Sequence, residues 1–195
     1  MKPLPLLATL SLVAAAYAQP NLADTSCAKD AVAAREERAA AGDAKAQYWL
    51  GTELETGRCV RRDVERSLEL LRTSAARSFP PAVHVIGVIL RREGQSKAAL
   101  VQFERAADLG FQLGFVDMGF TLGASELTVY DATQAFAWLS LALARETNPR
   151  LQAYLEKSLK ARADSMSSTE LERARVKTEE LKARFAMVPR WQDTQ

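Results

Sequence analysis

A chain of 195 residues, 48% hydrophobic and 26% charged, has a globular make-up and the length for one domain with its own core. Its formal net charge of +2 is too near neutral to draw in nucleic acid or another acidic polymer by bulk charge. One histidine and two cysteines leave no metal-ligand set and no histidine-dependent triad, so neither a cofactor nor an enzymatic activity is expected.

The first residues carry a targeting pattern. Met1-Lys2 is a positive start, Leu4 to Ala16 an apolar stretch too short to span a bilayer, and Ala16-Tyr17-Ala18 a small-x-small cleavage site. Residues 1–18 are therefore expected to be a secretory signal peptide, with the mature chain beginning at Gln19. No cysteine stands at the cleavage point, which argues against a lipid anchor. No later apolar run reaches the roughly 18 residues of a spanning helix. The chain is read as periplasmic or secreted, without membrane insertion.

Residues 19–42 hold an N-terminal helix, capped by Thr25 or Ser26, with no strong apolar face of its own. It reads as a half-repeat. Asp43 is a good N-cap for a helix to about Thr56, and Asp63 for another to about Arg77. Pro81 suits the first turn of a helix to about Arg92. A tight turn at Glu93-Gly94-Gln95 leads into Ser96 to Leu109, which stops at Gly110. Gln112 to Gly123 follows, then Ala132 to Glu146 capped by Asp131, and Asn148-Pro149 closes the series. Arg150 to Ala163 sets Leu151, Tyr154, Leu155 and Leu159 on one face. Ser167 and Glu170 spell a capping box for a last helix to about Phe185. Its narrow stripe of Leu171, Ala174, Thr178, Leu181 and Phe185 suits a capping helix with a polar outer face, or a short coiled coil. The tail, 188–195, reads as flexible. No strand pattern competes.

Two patterns recur through this series. Ala46 to Gly51, Ala82 to Gly87 and Gly114 to Gly119 share a small residue, four intervening residues and a glycine, with the glycines 36 and then 32 residues apart. Ser67, Ala99 and Ala135 open a second pattern at spacings of 32 and 36. Two alternating helical patterns at one period predict an all-α, right-handed α/α superhelix of about three repeats: 43–78, 79–110 and 111–148. Residues 149–187 then form a two-helix cap. A mid-helix glycine costs about 1 kcal/mol against alanine. Ala46, Gly51, Ala82, Gly87, Gly114 and Gly119 are therefore expected where helices pack closely.

The run from Ala46, Leu50 and Gly51 through Gly57, Asp63, Ser67, Leu71 and Ala75 resembles the Sel-one-like repeat, a relative of the tetratricopeptide repeat. A second copy runs through Ala106, Ala107 and Gly110, and Ala135, Trp138 and Ala142 of the third resemble the family's second helix. Met166 to Glu170 echoes the terminal helix of small exported bacterial members. The chain departs from the pattern at Cys59, where a second loop glycine is usual, and at Gly114, where alanine is. The resemblance covers about residues 43–185 and implies a non-catalytic scaffold that binds another protein, with no partner named.

Cys27 lies 15 residues before Gly42 and Cys59 lies 17 after it, so an antiparallel helix pair brings both to one end. In an oxidising compartment that favours a disulfide over two free thiols. If the first helix of each repeat lines the concave face, Trp49, Thr52, Val85, Val88, Asp117 and Phe120 are the candidate partner-binding residues. Trp49 and Phe120 would be aromatic anchors there, unless the terminal helices cover that face. Arg58, Arg61, Arg62 and Arg66 form a basic loop edge, continued one repeat on by Arg91, Arg92 and Lys97, that reads as solvated. His84, aligned with Tyr48, is expected to pack between helices. The protein is thus expected to be a monomeric, exported scaffold for an envelope or secreted protein. The alternatives are an accessory subunit of an envelope machine, such as a secretion system or flagellar motor, and a periplasmic inhibitor of a toxic effector.

Overall fold

A computed structural model describes residues 27–191; the expected signal peptide lies outside the described residues. Nine α-helices and no strand occur among the described residues. They are α1 (Lys29–Ala40), α2 (Ala44–Thr56), α3 (Val64–Ala76), α4 (Pro80–Arg92), α5 (Ser96–Asp108), α6 (Gln112–Leu122), α7 (Ala132–Arg145), α8 (Pro149–Ala163) and α9 (Ser168–Arg184).

Local chemistry sets the ends of these helices. The carboxylate of Asp43 accepts from the Ala46 N–H at 3.0 Å, Asp63 from Arg66 at 3.0 Å and Asp131 from Gln134 at 2.9 Å. Each satisfies a donor that the first helical turn leaves unpaired. Gly57 closes α2 in a left-handed conformation, φ 74°, and its N–H reaches the Glu53 carbonyl at 2.8 Å. Ser167 and Glu170 form the capping box of α9, each side chain bonded to the other residue's backbone N–H.

Helices α2 and α3, α4 and α5, and α6 and α7 pack as successive pairs, and each pair stacks on the next through α3–α4 and α5–α6. The architecture is a helical-repeat solenoid. The same bond recurs inside every pair: the N–H of Asp63, Gln95 and Asp131 donates to the carbonyl of Leu54, Leu90 and Leu122 at 3.0, 2.9 and 2.7 Å. The repeated glycines explain how close the pairs stand. A Cβ on Gly51 would meet Leu71 Cγ at 2.9 Å, one on Gly87 would meet Phe103 Cε1 at 2.6 Å, and one on Gly119 would meet Leu139 Cγ at 2.5 Å. Real Cβ contacts do not come that near, so each glycine seats one large side chain from the opposite helix of its own pair. Gly114 serves the junction between pairs, where a Cβ would press on the α5 backbone at Ala107 N, 2.6 Å away. Ala46 and Ala82 are buried.

The C-terminal helices depart from a simple terminal hairpin. Both α8 and α9 pack on α7, and α9 does so along much of its length. The Phe185 ring lies 5.0 Å from Phe115 and 5.5 Å from Trp138, edge-on to both. Residues 188–191, expected to belong to a flexible tail, make contacts with the repeats. Arg145 donates to the carbonyls of Phe185 and Val188 at 3.2 and 2.8 Å, and the Trp191 N–H donates to the Gly110 carbonyl at 3.0 Å. The tail turns back along the loops because these aromatic and main-chain groups find partners there.

Candidate partner-binding surface

The sequence-derived surface residues fall on three alternate helices, Trp49 and Thr52 on α2, Val85 and Val88 on α4, and Asp117 and Phe120 on α6. Their surroundings differ. Trp49 is 43% exposed. Thr52, Val85, Val88 and Phe120 are half-buried. The Thr52 hydroxyl donates to the Trp49 carbonyl at 2.8 Å, Val88 packs at the margin of the main core, and Phe120 lies 5.5 Å from the Tyr154 ring of α8. The last helices therefore cover the surface at its third repeat and leave it open at the first.

Beside Trp49 the groove between α1 and α2 widens into a cleft of about 230 Å³, lined by Ala31, Ala34, Arg35, Arg38, Lys45 and Ala46. Two of its cations are engaged: Arg35 pairs with Glu53 at 3.1 Å and Arg38 with Asp43. Lys45, the Trp49 indole and the small side chains of Ala31, Ala34 and Ala46 make up the rest of the cleft. Part of the basic loop edge is tied down in the same way. Arg62 donates to the Glu55 carbonyl at 3.0 Å, and Arg66 and Arg92 pair with Glu36 and Glu55 at 3.6 and 3.4 Å. These exposed pairs contribute little.

Asp117 must be reassigned. It is buried, with both carboxylate oxygens taken: Oδ2 lies 2.6 Å from His84 Nε2, and Oδ1 accepts from Arg91 Nη1 at 2.8 Å. Arg91 Nη1 also donates to Thr121 Oγ1 at 3.1 Å, and its guanidinium lies over Phe103, 5.3 Å from the ring centre. His84 is flanked by Phe103 and Phe111 at 5.6 and 5.3 Å. A carboxylate in that apolar setting cannot stay unpaired, so the neighbouring repeat supplies its partners. Burial alone would raise the Asp117 pKa; the His84 hydrogen bond and the Arg91 charge outweigh it, and the pKa is held below the ordinary aspartate value. The group ties α4 to α6 beneath the surface and offers nothing to a partner. Sequence reading placed His84 between helices but set Arg91 on the solvated basic edge; it is buried instead, because it pairs with Asp117. The available signal was Asp117 itself, the one charged residue of α6.

The cysteines meet as a Cys27–Cys59 disulfide that joins the start of α1 to the α2–α3 loop, Cα atoms 4.7 Å apart. No group of three or more metal-ligating residues gathers among the described residues, and no helix there is long and apolar enough to cross a membrane.

No protein-family profile matches this sequence, and no curated protein matches it significantly. Solved structures do. The chain superposes on the crystal structure of a Sel1 repeat protein from Oxalobacter formigenes with a TM-score of 0.54 and 21% identity, covering 67% of this chain and 97% of that one. It also aligns with c5321, a protective antigen of uropathogenic Escherichia coli strains displaying an SLR fold. There the TM-score is 0.46 and the identity 16%, over 85% of this chain but 45% of that one, so the chain spans under half of that protein's length. The first likeness shows the fold, a Sel1-type helical-repeat solenoid.

Proposed function

We propose that this solenoid is an exported, non-catalytic interaction scaffold whose first-helix face, anchored at Trp49, holds a segment of an envelope or secreted protein. Trp49 carries the reading. A solvent-facing indole beside a small cleft of alanines and basic side chains is the kind of residue that dominates binding energy at protein interfaces. Thr52, Val85 and Val88 extend the surface along the repeats; Phe120 closes it against α8. The disulfide supports export, since such bonds persist in oxidising compartments, and the targeting pattern of residues 1–18 agrees.

The test is crosslinking and affinity capture from intact cells with wild-type and Trp49→Ala protein side by side. The expected outcome is a defined envelope or secreted protein held by the wild type and lost from the variant, with the melting temperature unchanged. A variant that keeps the partner, or that melts many degrees lower, moves Trp49 from the interface to the core.

A further inference from the structure

Phe79 and Phe111 occupy equivalent places, each the residue before the first turn of α4 and α6, and neither caps its helix with a side-chain hydrogen bond. Trp191 lies between them, its ring 5.8 Å from Phe79 and 5.3 Å from Phe111, edge-on to both. The third element of this slot is main chain. The Gly110 carbonyl accepts from the Trp191 N–H, and a Cβ on Gly110 would run into the Pro189 carbonyl, so the tail rests directly on bare backbone.

The tail is fastened at its base and lightly held beyond it. Arg145 clamps the carbonyls of Phe185 and Val188. Between that clamp and Trp191, Pro189 and Arg190 are exposed. Arg190 also brings a second positive charge toward Arg145, whose pKa is lowered first by burial and then by that charge. Among the described residues, withdrawing Trp191 would give up a main-chain bond, its ring contacts with Phe79 and Phe111 and the fit of the tail against Gly110, and would leave Phe185 in the core.

We propose that the Phe79–Phe111 slot recognises an extended segment of a partner protein carrying an aromatic side chain, and that Trp191 is its resident, displaceable occupant. The slot offers two ring faces and one carbonyl acceptor, which an aromatic residue with a free backbone N–H satisfies together. A tethered occupant competes at an effective concentration of millimolar order, so weak ligands are refused and only a segment that outcompetes the tail enters. From Phe79 the ring contacts continue to Tyr48 at 5.4 Å and from Tyr48 to Trp49 at 5.1 Å. A segment leaving the slot on that side meets an exposed indole. The slot is separate from the first-helix face, and variants at Phe111 and Trp191 leave Trp49 in place, so either idea can fail alone.

The probe is a fluorescein-labelled peptide of residues 186–195, titrated by anisotropy into the full chain and into full-chain Trp191→Ala. The variant, its slot vacated, is expected to bind at least about tenfold more tightly than the wild type. Adding Phe111→Ala should remove the gain, and a peptide with alanine for tryptophan should bind neither protein. Equal binding by wild type and Trp191→Ala, or equal binding of the two peptides, overturns the proposal. Should Trp191→Ala fail to fold, excess unlabelled peptide is added to the wild type and hydrogen exchange is followed at its C-terminal segment. Faster exchange there supports displacement; unchanged exchange refutes it.

Discussion

The two ends of the solenoid are held by different forces. From α5 to α9, seventeen buried residues among those described form one continuous apolar cluster, with Phe103, Phe115, Trp138 and Phe185 at its centre. At the other end, α1 and α2 share four, Ala39, Ala46, Leu50 and Leu54. Ala39 is the one buried residue of α1. What apolar mass does not supply there, a disulfide and the largely buried Arg35–Glu53 pair do. Repeat proteins sum local and nearest-neighbour terms, so the two ends should respond differently to the same insult, and the end that is weaker in packing is the one beside Trp49.

The sharpest way to break this contrast is at the strong end. Phe115→Ala should lower stability by about 3–5 kcal/mol, as large core truncations do, and urea denaturation reads it. A loss near 1 kcal/mol would mean that the cluster is not the stabilising unit. Asp117→Asn should remove about 3 kcal/mol, because it leaves Arg91 buried beside an uncharged partner. Its pH dependence is a second reading. A carboxylate whose native pKa is depressed adds stability above its unfolded pKa of about 3.9, and that stability is lost as pH falls toward the native value. Melting temperature should therefore drop more steeply below about pH 4 in the wild type than in Asp117→Asn.

At the weak end, replacing both cysteines by serine should lose about 4 kcal/mol in the chain-entropy treatment, with the loss confined to the first helices. Hydrogen exchange should then show α1 opening while α7 stays protected; matched opening of both would make the two ends one cooperative unit. The smallest effect is expected at Ser167→Ala. Losing one half of an exposed capping box costs about 1 kcal/mol, and the thermal melt should fall by a few degrees.

Much of this was legible because it repeats. Asp43, Asp63 and Asp131 announce helix starts, and Gly51, Gly87 and Gly119 announce close approach, since the same local chemistry returns at one period. The cysteines could be paired by counting outward from the turn at Gly42. What does not repeat was not legible. Period alignment put Asp117 in one column with Trp49 and Val85, although an aspartate on an apolar helix needs a charged partner more than it needs solvent. Arg91 lies 26 residues away in the neighbouring repeat, a distance no local pattern reports. The return of Trp191 to Gly110 and Phe111 joins residues some eighty positions apart, and a short tail with one aromatic gives no sign of where it will land. Exposure at the surface was half legible: Trp49 faces out as alignment suggests, whereas α8 shields Phe120, and helix-to-helix cover is invisible to periodicity.

The glycine contacts and the Asp117 group also set where this protein can be lengthened. Gly51, Gly87 and Gly119 each meet their large neighbour inside one helical pair, so a pair is a cassette whose tightest fit travels with it. Gly114 and Asp117 are the exceptions, because their partners sit in the preceding cassette. A pair spliced between α5 and α6 would carry Asp117 away from His84 and Arg91 and strand a buried charge. One inserted at the α3–α4 turn would keep all three together, and that junction is where the solenoid can grow.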